Sequence, residues 1–298
     1  MEYVIETTAV SKIYGKKSAV NKVSMHVRRG DIYGLIGRNG AGKTTLMKLI
    51  LGLVRANEGS IRLFGSNNLD EGRKKVGSLV EIPGLYKDAT AYENLYRFSL
   101  LFGTPQEEIQ PLLEFVGLGD TGKKKAGAFS LGMKQRLGIA VALLGNPEIL
   151  ILDEPTNGLD PAGIKEIRDI IIELKNKGVT FVVSSHLLDE LGKVATTYGI
   201  MNNGVLVEEI SAEELRAKCR KSIKIVVDDV EKAKAVLTER HPEIHLETAE
   251  GSLKIFSDVD DLSEENKALV QADVRVYEIV TTNESFEEFF IEKVGQEQ

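Results

Sequence analysis

Three short segments carry side chains whose types and spacing could handle a phosphoryl group. The first is Gly37-Arg38-Asn39-Gly40-Ala41-Gly42-Lys43-Thr44. Its glycines let the backbone turn N–H groups inward around β- and γ-phosphates. A helical pattern starts directly behind it and would aim the positive end of its dipole at the same charge. Lys43 supplies a cation, and the Thr44 hydroxyl is a ligand for Mg²⁺. A merely flexible turn would not need the strand before it and the helix after it. The second is Ile149-Leu150-Ile151-Leu152-Asp153-Glu154-Pro155, an apolar strand that ends in two carboxylates. Asp153 suits a metal ion, directly or through water, and Glu154 suits polarising an attacking water. Taken alone, a solvated acidic turn explains that pair about as well. The third is Ser130-Leu131-Gly132-Met133-Lys134-Gln135-Arg136, ahead of the helical run 137–144. It is either a plain helix cap or a helix start offered to a phosphate, and residue chemistry leaves both open.

The surrounding elements must bring these segments together. Residues 32–36 form a short apolar strand before the glycine-rich turn, and 43–51 carry helical spacing. Strand patterns recur at 59–64, 76–80, 149–152, 179–184 and 197–202, with helical spacing over 161–176 and 187–194. Alternation of this kind predicts an α/β fold with a largely parallel central sheet. Ligands of such sheets bind at the carboxyl ends of the strands, where Asp153 and Glu154 fall. Residues 2–8 and 21–27 read as edge strands around a loop containing Tyr14. From about 90 to 146 only helical spacing is found, which predicts a helical insertion. From about 220 the pattern restarts: strand 222–227, helix 230–240, strands 244–248 and 252–256, helix 261–271, strand 274–280 and a helix over 284–294. That order predicts a small ferredoxin-like α+β unit.

Composition bounds the rest. The 298 residues are 42% hydrophobic and 28% charged, the profile of a globular protein with a sizeable core. One cysteine, Cys219, excludes an internal disulfide framework and fits a reducing compartment. No apolar run reaches bilayer-spanning length, and the amino terminus lacks a signal-peptide pattern. The net charge of −7 is uneven. Residues 1–219 hold 28 Lys+Arg against 26 Asp+Glu, whereas 220–298 hold 10 against 19. The shift marks a domain boundary, giving expected domains at 1–218 and 219–298. The acidic end also argues against nucleic acid as a partner. The run Lys123-Lys124-Lys125 reads as a solvated loop.

With these residues in their order, the chain resembles the ATP-binding subunits of ABC transporters over roughly 2–215. The resemblance implies an ABC ATPase fold of the P-loop class: a mostly parallel sheet, an antiparallel β subdomain and a helical insertion. It implies that Tyr14 stacks on adenine, that Gly37 to Thr44 with Thr45 form the Walker A loop, and that Asp153 and Glu154 close Walker B. Ser130, Leu131, Gly132 and Met133 would be the signature motif, which meets the γ-phosphate held by the other subunit. Asp160, in Gly158-Leu159-Asp160, looks like the D-loop, and His186 like the histidine that senses γ-phosphate. Glu154 and His186 are thus the expected catalytic pair, and Thr44, Glu81 and Asp153 the expected contacts to Mg²⁺. Implied partners are ATP with Mg²⁺, a second copy or related ABC subunit in the ATP-bound state, and an integral-membrane permease at the inner face of the cell membrane. His26, His241 and His245 match nothing in the pattern and read as structural.

Three departures separate this chain from the common form. Leu131 and Met133 stand where the signature usually has glycine and glutamine, while Ser130 and Gly132 are kept. Arg38 replaces a proline or serine in the phosphate loop. Glu81 stands where glutamine is usual, and with the signature it resembles the subfamily exporting or resisting bacitracin and lantibiotic-type peptides. The acidic C-terminal unit, ending in the segment Glu284 to Phe290, also resembles the appendage of those exporters. Two other classes compete. A soluble ABC ATPase acting on ribosomes or chromosomes usually has paired cassettes or long coiled coils, and neither occurs here. A GTPase or small-molecule kinase would leave the Ser130 segment unexplained, and no NKxD-like segment is present.

Overall fold

The computed structural model describes residues 2–186, 188–219, 221–241, 245–249, 251–256, 262–283 and 286–295. Positions 187, 244, 261, 284 and 285 fall inside elements expected from sequence and lie outside the described residues. The last two, Glu284 and Ser285, also open the acidic terminal segment.

The chain divides into two units, Met1–Ala212 and Glu213–Gln298. In the first, β1 (Tyr3–Tyr14) and β2 (Lys17–Arg28) form a long antiparallel hairpin, and β4 (Glu58–Leu63) pairs with the other side of β1. The central sheet contains β3 (Ile32–Ile36), β5 (Val76–Leu79), β6 (Ile149–Asp153), β7 (Thr180–Ser185), β8 (Thr197–Asn202) and β9 (Val205–Ser211). Their spatial order is β5-β6-β7-β3-β8-β9. All pairs are parallel except β8 with β9. Strands β3, β6 and β7 are buried at every position, which is why each reads as an apolar run rather than an alternation.

Helix α1 (Lys43–Leu51) follows β3 and packs Leu46, Met47 and Ile50 into a core shared with Val4, Ile5, Tyr33, Leu35, Ile149, Ile151 and Val182. α2 (Leu69–Arg73) leads into β5. The expected helical insertion is α3 (Ala91–Phe102), α4 (Ile109–Phe115) and α5 (Leu131–Leu143). α3 opens with a reciprocal capping box: Glu93 N donates to Thr90 Oγ1 and Thr90 N to Glu93 Oε2. Helices α6 (Pro161–Asn176) and α7 (Leu188–Gly192) complete the connections between strands.

Two differences from expectation have physical causes. Tyr14 does not sit in a loop; it is the last residue of β1, paired with Lys17 across a tight turn. Register shifts between Thr7, Val10, Lys12 and Ile13, with Ala9 at φ 47°, break the period-two pattern that marks a strand. Strand β9 likewise lies outside the expected elements. Its turn, Asn203-Gly204 at φ 46° and 84°, is nevertheless the dipeptide that favours a two-residue hairpin.

The division falls at the first residue of α8 (Ala212–Lys218), a helix absent from the expected elements, and so slightly before the expected boundary at 218. Then come β10 (Lys221–Val227), α9 (Val230–Arg240), β11 (His245–Ala249), β12 (Ser252–Phe256), α10 (Ser263–Gln271), β13 (Val276–Asn283) and α11 (Phe286–Gly295). The antiparallel order β11-β12-β10-β13 places the first strand between the third and fourth, the ferredoxin-like arrangement expected. Ile223, Ile225, Leu237, Leu253, Ile255 and Leu269 form its core.

A polar knot ties three strands of the first unit. Tyr33 on β3 is fully buried, and its hydroxyl donates to Glu209 Oε1 at 2.8 Å. The same oxygen accepts from His26 N on β2 at 2.9 Å, and His26 Nδ1 lies 2.9 Å from Oε2. Burial, then the Glu209 charge, pushes the Tyr33 phenol well above its ordinary pKa. Tyr33→Phe should remove one bond to a charged acceptor and cost about 1–2 kcal/mol. The urea midpoint should fall with its slope unchanged.

Candidate functional site

Lys43 Nζ donates to the Gly37 carbonyl at 2.6 Å and stands 3.1 Å from Glu154 Oε1. Two turns of unusual backbone make this meeting possible. Gly42 is the N-cap of α1 at φ 105°, and a Cβ there would collide with the Ala19 carbonyl. Only glycine suits that position. No side chain caps α1, so its first-turn N–H groups have no capping acceptor and face the loop's concavity. Glu154 itself takes φ 48°, a left-handed conformation uncommon outside glycine. That turn, directly after β6, swings its carboxylate back toward Lys43.

Strand register supplies the remaining alignment. β7 lies between β6 and β3, with Asp153 opposite Ser184 and Ile36 opposite Ser185. The phosphate loop leaves β3 at that same edge. Asp153, 6% exposed, accepts from Thr44 Oγ1 at 2.8 Å and from Ser184 Oγ at 2.6 Å. Ser184 Oγ in turn accepts from Glu154 N at 2.8 Å. Ser184 is a site residue that the sequence motifs leave without a role. Its one local signal is a hydroxyl at the end of a buried strand, in Ser184-Ser185-His186. His186 follows, with Nδ1 2.7 Å from Glu154 Oε2.

A cleft of about 340 Å³ opens onto this group, lined by Tyr14, by residues 38–45 and by Glu154, with Lys17 and Ala19 on the hairpin side. Tyr14 is half exposed, with Lys12 Nζ 5.1 Å from its ring centroid. Arg38 and Asn39 belong to the same lining. The structure thus gathers Tyr14, Gly37 to Thr45, Asp153, Glu154 and His186 around one opening.

The other expected residues are elsewhere. Ser130 caps α5, its Oγ accepting from Met133 N at 3.2 Å, and Asp160 caps α6, accepting from Gly163 N at 3.0 Å. The two segments lie side by side: Leu131 is against Gly158, and Gly132 against Leu159. None of Ser130 to Met133 nor Asp160 lines the cleft. Glu81, at φ 63° with its side chain 62% exposed, is held by Lys48 Nζ at 2.5 Å instead of joining Thr44 and Asp153.

Among the described residues, no group of three His, Cys, Asp or Glu could hold a metal alone. A hydroxyl beside a carboxylate is the oxygen donor set that suits an ion which keeps several waters and shares a phosphate. Thr44 and Asp153 therefore fit Mg²⁺.

Comparison with known proteins agrees with this geometry. The ABC transporter family model matches residues 20–157. The bacitracin transport ATP-binding protein BcrA of Bacillus licheniformis is 42% identical over 302 residues, covering 99% of this chain and 98% of that one. The lantibiotic transport ATP-binding protein SrtF of Streptococcus pyogenes is 46% identical over 200 residues, covering 67% of this chain and 87% of that one. A solved ATP-binding subunit of an ABC transporter superposes with a TM-score of 0.65 at 30% identity, over 72% of this chain and 92% of that one. A phosphate cradle, two strand-end acids and full-length relatives at this identity have one reading: the chain belongs to the ABC transporter family, as an ATP-binding and ATP-hydrolysing subunit.

Proposed function

We propose that two copies of this chain, or one copy and a related ABC subunit, close head-to-tail around two MgATP and drive a separate membrane subunit. The cargo would be a bacitracin- or lantibiotic-like peptide, exported or resisted. One observation carries the sandwich: the cleft is lined by the phosphate loop and Glu154 but not by Ser130 to Met133, so a single chain offers half of a site. Likeness to BcrA over nearly the whole of both chains, the second unit included, supports the cargo class. No described helix is long and apolar enough to cross a membrane. A separate permease would then hold the chain at the cytoplasmic face. An apolar groove of about 230 Å³ lined by Leu53, Ile82, Pro83 and Phe98 is where that subunit would press.

In this reading Tyr14 stacks on adenine. The N–H groups of residues 38–45 and the start of α1 hold the β- and γ-phosphates, and Lys43 leaves Gly37 O and Glu154 to meet them. Thr44 and Asp153 hold Mg²⁺, which balances phosphate charge when bound. Glu154 accepts a proton as water oxygen bonds to the γ-phosphorus and the bond to the bridging oxygen breaks, releasing ADP and phosphate. His186 keeps Glu154 aimed and contacts the departing phosphoryl group. Ser130 and the α5 start of the partner copy donate to the same γ-phosphate, and Asp160 links the two sites. ATP binding energy closes the pair; loss of the γ-phosphate lets it reopen. Glu81 would report the permease's position to the ion by exchanging its Lys48 partner.

Glu154→Gln should keep MgATP affinity, run as a dimer at saturating MgATP and lose roughly 10²–10⁴-fold in turnover. Light scattering that finds this variant and the parent equally monomeric would sink the sandwich. Shared sites also predict rescue in trans. Lys43→Ala and Ser130→Arg should each abolish phosphate release, yet a mixture of the two should regain it, because one composite site per mixed dimer is intact. A mixture as silent as its parts argues for self-sufficient sites.

A further inference from the structure

A second cavity, of about 660 Å³, lies at the carboxyl end of α1 between α2 and β4, and no role falls to it in ATP chemistry. Arg55, Arg62 and Arg73 line it with Ser60 and Asn67, and no acidic side chain does. Arg73 is fixed: its Nε donates to the Ile50 carbonyl at 3.1 Å, and its guanidinium lies against Gly52, filling the space a Cβ would need. The nearby acid Asp70 is 3.8 Å from its Nη1 and 93% exposed. Arg62 Nε donates to Asn67 Oδ1 at 3.3 Å; Glu6 stands opposite Arg62 in the β1–β4 register but forms no ion pair with it. The Arg55 guanidinium has no partner among the described residues, while its carbonyl draws Lys12 Nζ to 2.8 Å. In a chain of net charge −7, this is a local excess of cations: the Arg55 fork is free, and Arg62 is held through its Nε alone. Such forks match phosphate oxygens two at a time.

The apolar groove adjoins this cavity along the chain. Gly52 and Val54 line the arginine side, and Leu53 between them, 64% exposed, lines the groove with Ile82, 88% exposed. A permease seated on that groove would bring the neighbouring arginines toward the membrane surface, where anionic headgroups attract cations. We propose that the Arg55–Arg62–Arg73 cavity receives the phosphate of an anionic lipid headgroup at the membrane that holds the permease. The proposal rests on the reading of the chain as a permease-bound subunit.

The test is co-sedimentation of the full chain with phosphatidylglycerol–phosphatidylcholine vesicles and with pure phosphatidylcholine, in the absence of nucleotide. Binding should need phosphatidylglycerol and fade with added salt. Arg55→Gln with Arg62→Gln, which leaves the structural Arg73 in place, should weaken it by about fivefold per arginine removed. MgATP turnover, read on the same preparations, should match the parent. Vesicle binding that survives the double change overturns the lipid site, as does protection of the arginines by inorganic phosphate without any vesicle binding. A preparation that turns over ATP and ignores the vesicles also overturns it, while leaving the sandwich reading intact. Failure of ATP turnover in the parent would strike at that reading instead.

Discussion

Asp153 accepts two hydroxyl protons at once, from Thr44 at 2.8 Å and from Ser184 at 2.6 Å, while nearly shut off from water. A buried carboxylate needs such partners to remain charged. These two arrive from different elements: Thr44 from the first turn of α1, behind β3, and Ser184 from the end of β7. The central order β6-β7-β3 is therefore a condition for the site. A slip of one residue in the β6–β7 pairing would turn the Ser184 hydroxyl to the opposite face of the sheet and leave Asp153 with one donor in place of two. Ser184 extends the constraint by accepting from Glu154 N, so the same contact fixes the turn that aims the Glu154 carboxylate.

Much of this arrangement was legible in the residues. Buried strands of five or six residues, read as apolar runs between helical stretches, announce a parallel sheet. The octapeptide 37–44 announces what lies at its edge, because its glycines answer to backbone crowding: a Cβ on Gly37 would meet the Met201 carbonyl at 2.6 Å. The ferredoxin-like order of the second unit followed from alternation of element types alone. What escaped was of two kinds. β1 was cut short because its bulges interrupt the period on which strand reading depends. Ser184 was missed because a single hydroxyl acquires meaning only from the strand beside it, and no local pattern records which strands become neighbours. The Lys48 partner of Glu81 belongs to this second kind, being 33 residues away and visible only after folding.

Charge in the cleft is arranged so that its own groups satisfy one another. Lys43, 5% exposed, borrows the Gly37 carbonyl and Glu154, and Glu154 in turn leans on His186. Each of these contacts joins groups that a triphosphate would address separately. The protein thereby avoids an unpaired buried ammonium, on condition that nucleotide displaces an existing pair. The second unit has a core and a sheet of its own.

Ser130 shows how a helix cap can set the polarity of a contact. Its oxygen already receives the Met133 N–H, so the hydroxyl keeps a proton to give. The neighbouring N–H groups at the head of α5 share that bias. A surface built this way welcomes oxygens that carry negative charge and has little to offer another donor. Whatever closes over it is sorted by charge before shape.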